Sequence, residues 1–257
     1  MPRNELSVAS FHRSPTTRAK RSMSPAPSVS LMNPPLTCRL PVDVRWVCRS
    51  KAMLDYLLAA VLLIPAVPMV FMAWCLVRIT SRGPGFYSQE RVGQFGHVFT
   101  IIKLRTMYHE CESITGPRWS TPDDPRVTRI GKVLRSLHID ELPQLWNVLA
   151  GQMSLIGPRP ERPEIAAKLR QSIPSYDVRM VLKPGVSGLA QIHLPPDTNL
   201  ASVRRKLLLD IHYIQNVSVW MDVKIIACTA LKVIGLHHMR GTNALPTPVI
   251  IPDDPME

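Results

Sequence analysis

Asp140 and Glu141 are adjacent carboxylates in an otherwise cationic stretch, RVTRIGKVLRSLHIDELPQLWNVLAGQMSLIGPRPERPE, running from Arg126 to Glu164. Arg126, Arg129, Lys132 and Arg135 recur at every third position. On a helix they form a slowly drifting basic stripe, with Val127, Ile130, Val133, Leu134 and Leu137 on much of the remaining circumference. Gly157-Pro158-Arg159-Pro160 then places one arginine between two prolines, which reduces the entropy lost when its guanidinium is held in one pose. Cations beside paired acids suit chemistry on phosphate with a divalent metal, since guanidinium forks match phosphate oxygens and carboxylates hold Mg2+. The spacing alone also admits two structural readings. One is an amphipathic helix with a solvated charged face. The other is Asp140 as the cap of a helix from Pro143 to Leu149.

The elements that must position these groups are legible on both sides. PGFYSQERVGQFGHVFTIIKLRTM, from Pro84 to Met107, predicts short strands around a turn at Gly93 to Gly96. Lys103 and Arg105 lie two apart, so on a strand both project from one face. Tyr108 to Pro125 reads as a polar surface loop, with Asp124 as N-cap of the basic helix. Upstream, the stretch from Tyr56 to Val77 carries no charge over about 22 residues, enough to cross hydrocarbon if straight. Pro65 and Pro68 near its centre predict a bend. Arg45, Arg49 and Lys51 precede it and Arg78 and Arg82 follow it. Basic flanks at both ends point to a re-entrant helix-break-helix that returns to the cytoplasmic side, the alternative being a bent transmembrane span. Downstream, Lys183 to Gly188 reads as a turn-rich loop, and 203–213 and 219–236 as helices. Asp222, Lys224 and Lys232 make the last of these an interfacial or core-packed helix instead of a second span. The organisation is a disordered, basic, Ser/Pro-rich arm over 1–45, which does not read as a secretory signal, then a membrane helix over 46–82, a catalytic domain over 83–236 and a flexible tail over 237–257.

A net charge of +12 implies an anionic partner. Nucleic acid is disfavoured, because single-strand binding wants stacking aromatics among the cations and aromatics are only 6% of the chain, mostly in apolar runs. Five cysteines without CxxC spacing fit a reducing compartment. The glycines at 93 and 96 make neither a GxGxxG fingerprint nor a Walker loop.

KLRTM at Lys103 to Met107, DELPQLWNVLAGQMSLIGPRP from Asp140 and KPGVSGLAQI at Lys183 to Ile192 together resemble the bacterial sugar transferases, the monotopic polyprenyl-phosphate glycosyl-1-phosphate transferases. The resemblance covers roughly residues 51–235. It implies an α/β domain, mostly helical with a small β element, held at the cytoplasmic face of a bacterial inner membrane, with room for a homodimer. It implies transfer of a sugar-1-phosphate from a nucleotide-sugar, of the UDP-sugar class, to polyprenyl phosphate. In that scheme Asp140 is the nucleophile of a covalent phosphosugar intermediate, Glu141 handles metal or proton, and both carboxylates serve Mg2+. Lys103, Arg135 and Arg159 hold phosphate oxygens, with Arg105 a weaker candidate. Four positions depart from the family pattern: Val67 before Pro68 where Ser is usual, Gln152 for an acid, Leu189 for Trp and His193 for Asn. The rival reading is a non-catalytic membrane-bound scaffold that binds anionic lipid, which has no need of the Asp140-Glu141 pair.

Overall fold

The computed structural model describes residues 44–111, Gly116 and 123–233. The expectations for the arm before residue 44 and for the tail over 237–257 lie outside the described residues. The order is α1 (Val44–Thr80), β1 (Phe86–Val92), β2 (Val98–Leu104), α2 (Arg129–Ser136), α3 (Gln144–Leu149), β3 (Ser154–Ile156), α4 (Pro163–Ser172), β4 (Gly185–Ser187), α5 (Leu189–His193), α6 (Leu200–Gln215) and α7 (Val219–Val233). The expected mostly helical α/β class holds, and the described residues form one compact unit.

β1 and β2 form the antiparallel hairpin that the alternation predicts, in register from Phe86 opposite Leu104 to Val92 opposite Val98. The loop between them takes Phe95 and Gly96 through positive φ (54° and 81°). A second pair, β3 with β4, is parallel and was not legible. Its strands are three residues each; β3 directly precedes the turn read at 157–160, and β4 sits inside the loop read at 183–188.

α1 differs from the expected helix-break-helix. It runs unbroken for 37 residues with Pro65 and Pro68 inside it. The two prolines cannot donate to the carbonyls of Val61 and Ile64, so the ladder loses two bonds without ending the helix. One stripe of α1 is buried: Lys51, Asp55, Ala59, Ala66, Ala73 and Val77. Its alanines let neighbouring elements approach closely. Ala59 and Ala66 pack with Leu145, Val148 and Ile225 in the main core. Ala73 and Val77 pack with Leu104 and Leu134 in a smaller one. The opposite face carries Met53, Leu57, Ile64, Val67, Phe71, Met72 and Ile79 in the open. Such a continuous exposed apolar face needs a non-aqueous neighbour.

The charged flank is also reassigned. Lys51 is buried, its Nζ 2.5 Å from Asp222 Oδ2 on α7 and 3.8 Å from Asp55. Tyr213 donates to the other oxygen of Asp222 at 2.6 Å. Asp55 accepts from Ser154 Oγ at 2.6 Å and from the Leu155 amide at 3.3 Å. The start of α1 is thus bolted to β3, α6 and α7. At the other end, Arg105 fastens the helix C-terminus, donating to the carbonyls of Ser81 (2.9 Å) and Arg82 (2.7 Å).

Arg126, counted in the basic stripe, precedes α2 and clamps Asp124 through Nε and Nη2. Asp124 is therefore not the helix cap. Thr128 caps α2, accepting from Gly131 N at 2.9 Å, while the Thr128 amide donates to Thr106 O at 3.0 Å. Gly131 lies so close to the Thr106 backbone that a Cβ would fall 2.0 Å from its carbonyl oxygen. α2 is thereby pinned to the end of the hairpin.

Lys51→Met should strand Asp222 as a buried charge. We expect thermal unfolding in detergent to report a loss of about 3–5 kcal/mol. Lys51→Met combined with Asp222→Leu should recover most of it; a double variant as unstable as the single would show that the ion pair is not what holds α1.

Candidate active site

The site is assembled from three chain segments. β2 projects Lys103 from the hairpin, with its Nζ 2.7 Å from Glu141 Oε1. After α2, His138 takes a left-handed conformation (φ 55°, ψ 18°) and turns the chain into a short 3-10 segment, Ile139–Glu141, that carries both acids. A non-glycine residue costs free energy there. This reversal is a feature the sequence does not announce, since glycine or asparagine is the usual signal. The turn at 157–160 then brings Arg159 from the opposite side, Nη2 2.6 Å from Glu141 Oε1 and Nη1 3.4 Å from Oε2.

The turn that carries Arg159 is fully engaged. The carbonyls of Pro158, Arg159, Pro160 and Glu161 accept from Gly185 N (3.0 Å), Arg179 Nη2 (3.0 Å), Arg91 Nη1 (3.1 Å) and Val92 N (2.9 Å) respectively. Arg179 is itself fixed by Asp210 at 2.8 Å and by the Tyr176 hydroxyl at 2.7 Å. The loop Lys183–Gly188 explains its glycines here. A Cβ on Gly185 would fall 2.1 Å from Gly157 N, and one on Gly188 2.3 Å from Gly157 O. Arg91, Arg179 and Asp210 escaped the sequence reading, because they are scattered over three elements with no spacing to mark them.

Electrostatics separates the two acids. Burial pushes the Glu141 carboxyl upward, but Arg159 and Lys103 outweigh it and hold the group well below its ordinary range. Asp140 is pushed up to about 6, first by burial and then by the charge on Glu141, against the pull of Lys103, Arg135 and Arg159. It is 7% exposed, and among the described residues its carboxylate accepts no hydrogen bond. Burial lowers the Lys103 ammonium, opposed chiefly by Glu141. Arg135 is steadied by Thr106, its Nε 2.9 Å from Oγ1.

The structure therefore brings Lys103, Arg135, Asp140, Glu141 and Arg159 together. It does not bring Arg105, which corrects its candidacy as a phosphate ligand. β2 ends at Leu104, so the two-residue alternation no longer governs Arg105, and its guanidinium turns to the end of α1. Gln152, standing for an acid, accepts from Asn147 Nδ2 at 2.7 Å, a contact that needs an acceptor and no charge. Leu189 is buried in the main core. Trp146 is 62% exposed.

No group of three or more His, Cys, Asp or Glu residues with metal-holding geometry occurs among the described residues. Mg2+ does not need one, because it keeps waters and takes one or two carboxylates plus substrate phosphates. Asp140, with no hydrogen bond to its oxygens, fits that demand. Glu141 fits it once its cations move to a phosphate.

A hairpin, a helical body and a cation-lined acid pair are fastened along one apolar helix. The chain belongs to the bacterial sugar transferase family, whose profile matches residues 46–235. It is 37% identical over 189 residues to an undecaprenyl-phosphate glucose phosphotransferase of Komagataeibacter xylinus, covering 72% of this chain and 36% of that one. To a UDP-N-acetylgalactosamine-undecaprenyl-phosphate N-acetylgalactosaminephosphotransferase of Aeromonas hydrophila it is 42% identical over 171 residues, covering 66% and 40%. A UDP-glucose:undecaprenyl-phosphate glucose-1-phosphate transferase of Caulobacter vibrioides is 40% identical over 193 residues, covering 74% and 70%. The chain thus spans well under half the length of the first two relatives.

The raised Asp140 carboxyl makes a stability prediction. The folded state holds the proton up to about pH 6, the unfolded chain only to about 3.9. The ionised acid therefore destabilises the fold fully above pH 6, and the penalty fades as pH falls toward 4. Asp140→Asn should melt higher than wild type at pH 7.5, by up to about 3 kcal/mol, and the difference should shrink between pH 6 and 4. Equal melting temperatures across that window would contradict the electrostatic picture.

Proposed function

We propose that the protein transfers a sugar-1-phosphate from a UDP-sugar to a polyprenyl phosphate at the cytoplasmic face of a bacterial membrane. The observation that carries this reading is the buried Asp140 carboxylate, without a hydrogen bond among the described residues, beside a clamp of Lys103 and Arg159 on Glu141. A cap or a lipid-binding scaffold has no use for an acid held at that cost. Two relatives are named for donors of the UDP-sugar class and all three for undecaprenyl phosphate as acceptor. Their sugars differ, so the sugar is left open.

In the first step an Asp140 oxygen attacks the phosphorus that bears the sugar. The bond from that phosphorus to the bridging oxygen breaks, and UMP leaves with the electron pair. In the second step the phosphate oxygen of the polyprenyl phosphate attacks the same phosphorus and the Asp140 carboxylate departs, leaving a polyprenyl-diphosphate sugar. Dividing the transfer into two displacements lets a weak nucleophile do it. Arg159 and Lys103, pre-aimed by Glu141, move onto phosphate oxygens as negative charge develops, with Arg135 on the remaining side. Bound Mg2+ supplies further charge neutralisation at the diphosphate, with Asp140 and the freed Glu141 as its protein ligands. A pushed-up acid suits the role, being more basic than an ordinary aspartate yet mostly ionised at neutral pH.

Membrane attachment follows from α1. Its buried stripe meets the globular domain from Lys51 to Val77, the length of the apolar run. A helix crossing the bilayer would leave that domain behind partway along, so α1 is read as lying along one face of the membrane with both ends on the same side. Val219, Trp220 and Val223 of α7 and Trp146 of α3 are further exposed apolar residues. An active site held at the headgroup plane meets a soluble donor and a lipid acceptor without either leaving its phase.

Two outcomes are expected. In detergent with undecaprenyl phosphate and Mg2+, wild-type protein should release UMP from at least one member of a panel of UDP-sugars. Asp140→Asn, verified free of deamidation, should lose turnover by orders of magnitude, and an active Asn variant would return the acid to a structural role. Separately, cysteines replacing the exposed Arg49 and Arg82 should both resist labelling in intact cells and react after permeabilisation. Label reaching either one from the periplasm would establish a true span.

A further inference from the structure

α1 sorts its residues by face along its whole length. The buried stripe, Lys51, Asp55, Ala59, Ala66, Ala73 and Val77, advances in steps of four and seven and keeps its phase across Pro65 and Pro68. The opposite face follows the same rule. Met53, Leu57, Ile64, Val67 and Phe71 are exposed at steps of four, seven, three and four. Arg49 stands four residues before this row and Arg78 seven after it, and both are exposed. The outward face is therefore apolar through its middle and carries an arginine at each end, about 43 Å or eight turns apart.

No acid answers these two charges. Asp55 is the only acid in α1 and lies on the buried stripe, where it accepts from Ser154 Oγ at 2.6 Å and sits 3.8 Å from Lys51. Neither Arg49 nor Arg78 has an ion-pair partner among the described residues. Arg78 is nevertheless held in one place. Its Nη1 donates to Gly83 O at 2.8 Å, and its guanidinium lies 6.0 Å from the centre of the Trp74 ring, which stacks on Phe71 at 6.3 Å. Its Nε and Nη2 make no hydrogen bond among the described residues. An aromatic ring beside a cation at the end of an apolar row suits the boundary between hydrocarbon and headgroups.

We propose that the outward face of α1 is a docking surface for anionic phospholipid, with Arg49 and Arg78 bound to the headgroup phosphates. This rests on the reading of α1 as lying along one face of the membrane, which puts both arginines at one headgroup plane. With the apolar row in hydrocarbon, each arginine keeps its stem against the apolar surface and its head among phosphates. The guanidinium fork matches two phosphate oxygens at once. A zwitterionic headgroup brings its own cation beside the phosphate, which opposes a second positive charge. A phosphatidylglycerol headgroup brings none, and α1 exposes no acid that would offset the attraction.

The test uses the full chain reconstituted into vesicles of equimolar phosphatidylcholine and phosphatidylglycerol, without polyprenyl phosphate. Bromines, which quench tryptophan at contact range, are placed on the acyl chains of one lipid or of the other. Trp46 and Trp74 of α1 stand three and four residues from the two arginines and serve as reporters. The expected result is stronger quenching by brominated phosphatidylglycerol, with a relative binding constant of roughly fivefold, as for one cation near an anionic surface. Arg49→Gln with Arg78→Gln should bring the two lipids to parity, while Arg49→Lys with Arg78→Lys should keep the preference. Equal quenching by both lipids in wild type would overturn the proposal. So would a preference that survives in the Gln pair, or one lost equally in the Lys pair. Quenching by neither lipid would remove the membrane reading of α1, and this inference with it.

Discussion

Glu141 is the residue on which the site depends. Its carboxylate accepts from Lys103 at 2.7 Å and from Arg159 at 2.6 Å, joining the hairpin to the turn after β3 through the acid pair itself. Burial already disfavours the Lys103 charge, and Arg159 and Arg91 add to that. Without an anion between them, the cations would repel and their side chains would spread into solvent. Glu141 therefore lets the two cations sit together in the folded chain. The same negative charge lies next to Asp140 and contributes to holding it near 6. One group thus pre-aims the cations and sharpens the acid beside it.

That arrangement is only as good as the backbone behind it. Every carbonyl from Pro158 to Glu161 has a donor, two of them arginines from other elements, so Arg159 is presented on a segment with little freedom to drift. Rigid placement is what lets a charge act on a transition state without reorganising. The hairpin end is fixed in turn by Gly131 against Thr106 and by Arg105 on the last carbonyls of α1. The chemistry and the apolar helix are consequently parts of one body. A buried Lys51–Asp222 pair at the start of α1 completes that attachment.

Much of this was legible in the sequence, for reasons that also mark where it stopped. Alternation over 84–107 gave the hairpin, and proline on both sides of Arg159 gave the turn, because both are local effects. Asp140 and Glu141 stood out as acids in a basic stretch, although spacing left capping open. The failures are cases where a local rule met a distant partner. Arg105 obeyed strand alternation only on paper, since β2 had ended one residue earlier. Arg126 fitted the three-residue repeat yet belongs to Asp124. Lys51 read as a membrane flank because nothing nearby announces Asp222, 171 residues away. The parallel β3–β4 pair is too short for any periodicity to develop. The central prolines were expected to break α1, but packing along its buried alanine stripe keeps the helix continuous across two missing hydrogen bonds.

The central claim is that Asp140 carries the phosphosugar on its carboxylate. Intact-mass spectrometry of the protein incubated with UDP-sugar and Mg2+, without lipid acceptor, tests it most directly. The account predicts a gain of one phosphosugar per chain, located by proteolysis to the peptide containing Asp140, removed by hydroxylamine and discharged on adding undecaprenyl phosphate. Turnover with acceptor present but no adduct on rapid quenching, or an adduct mapped to another residue, would contradict it.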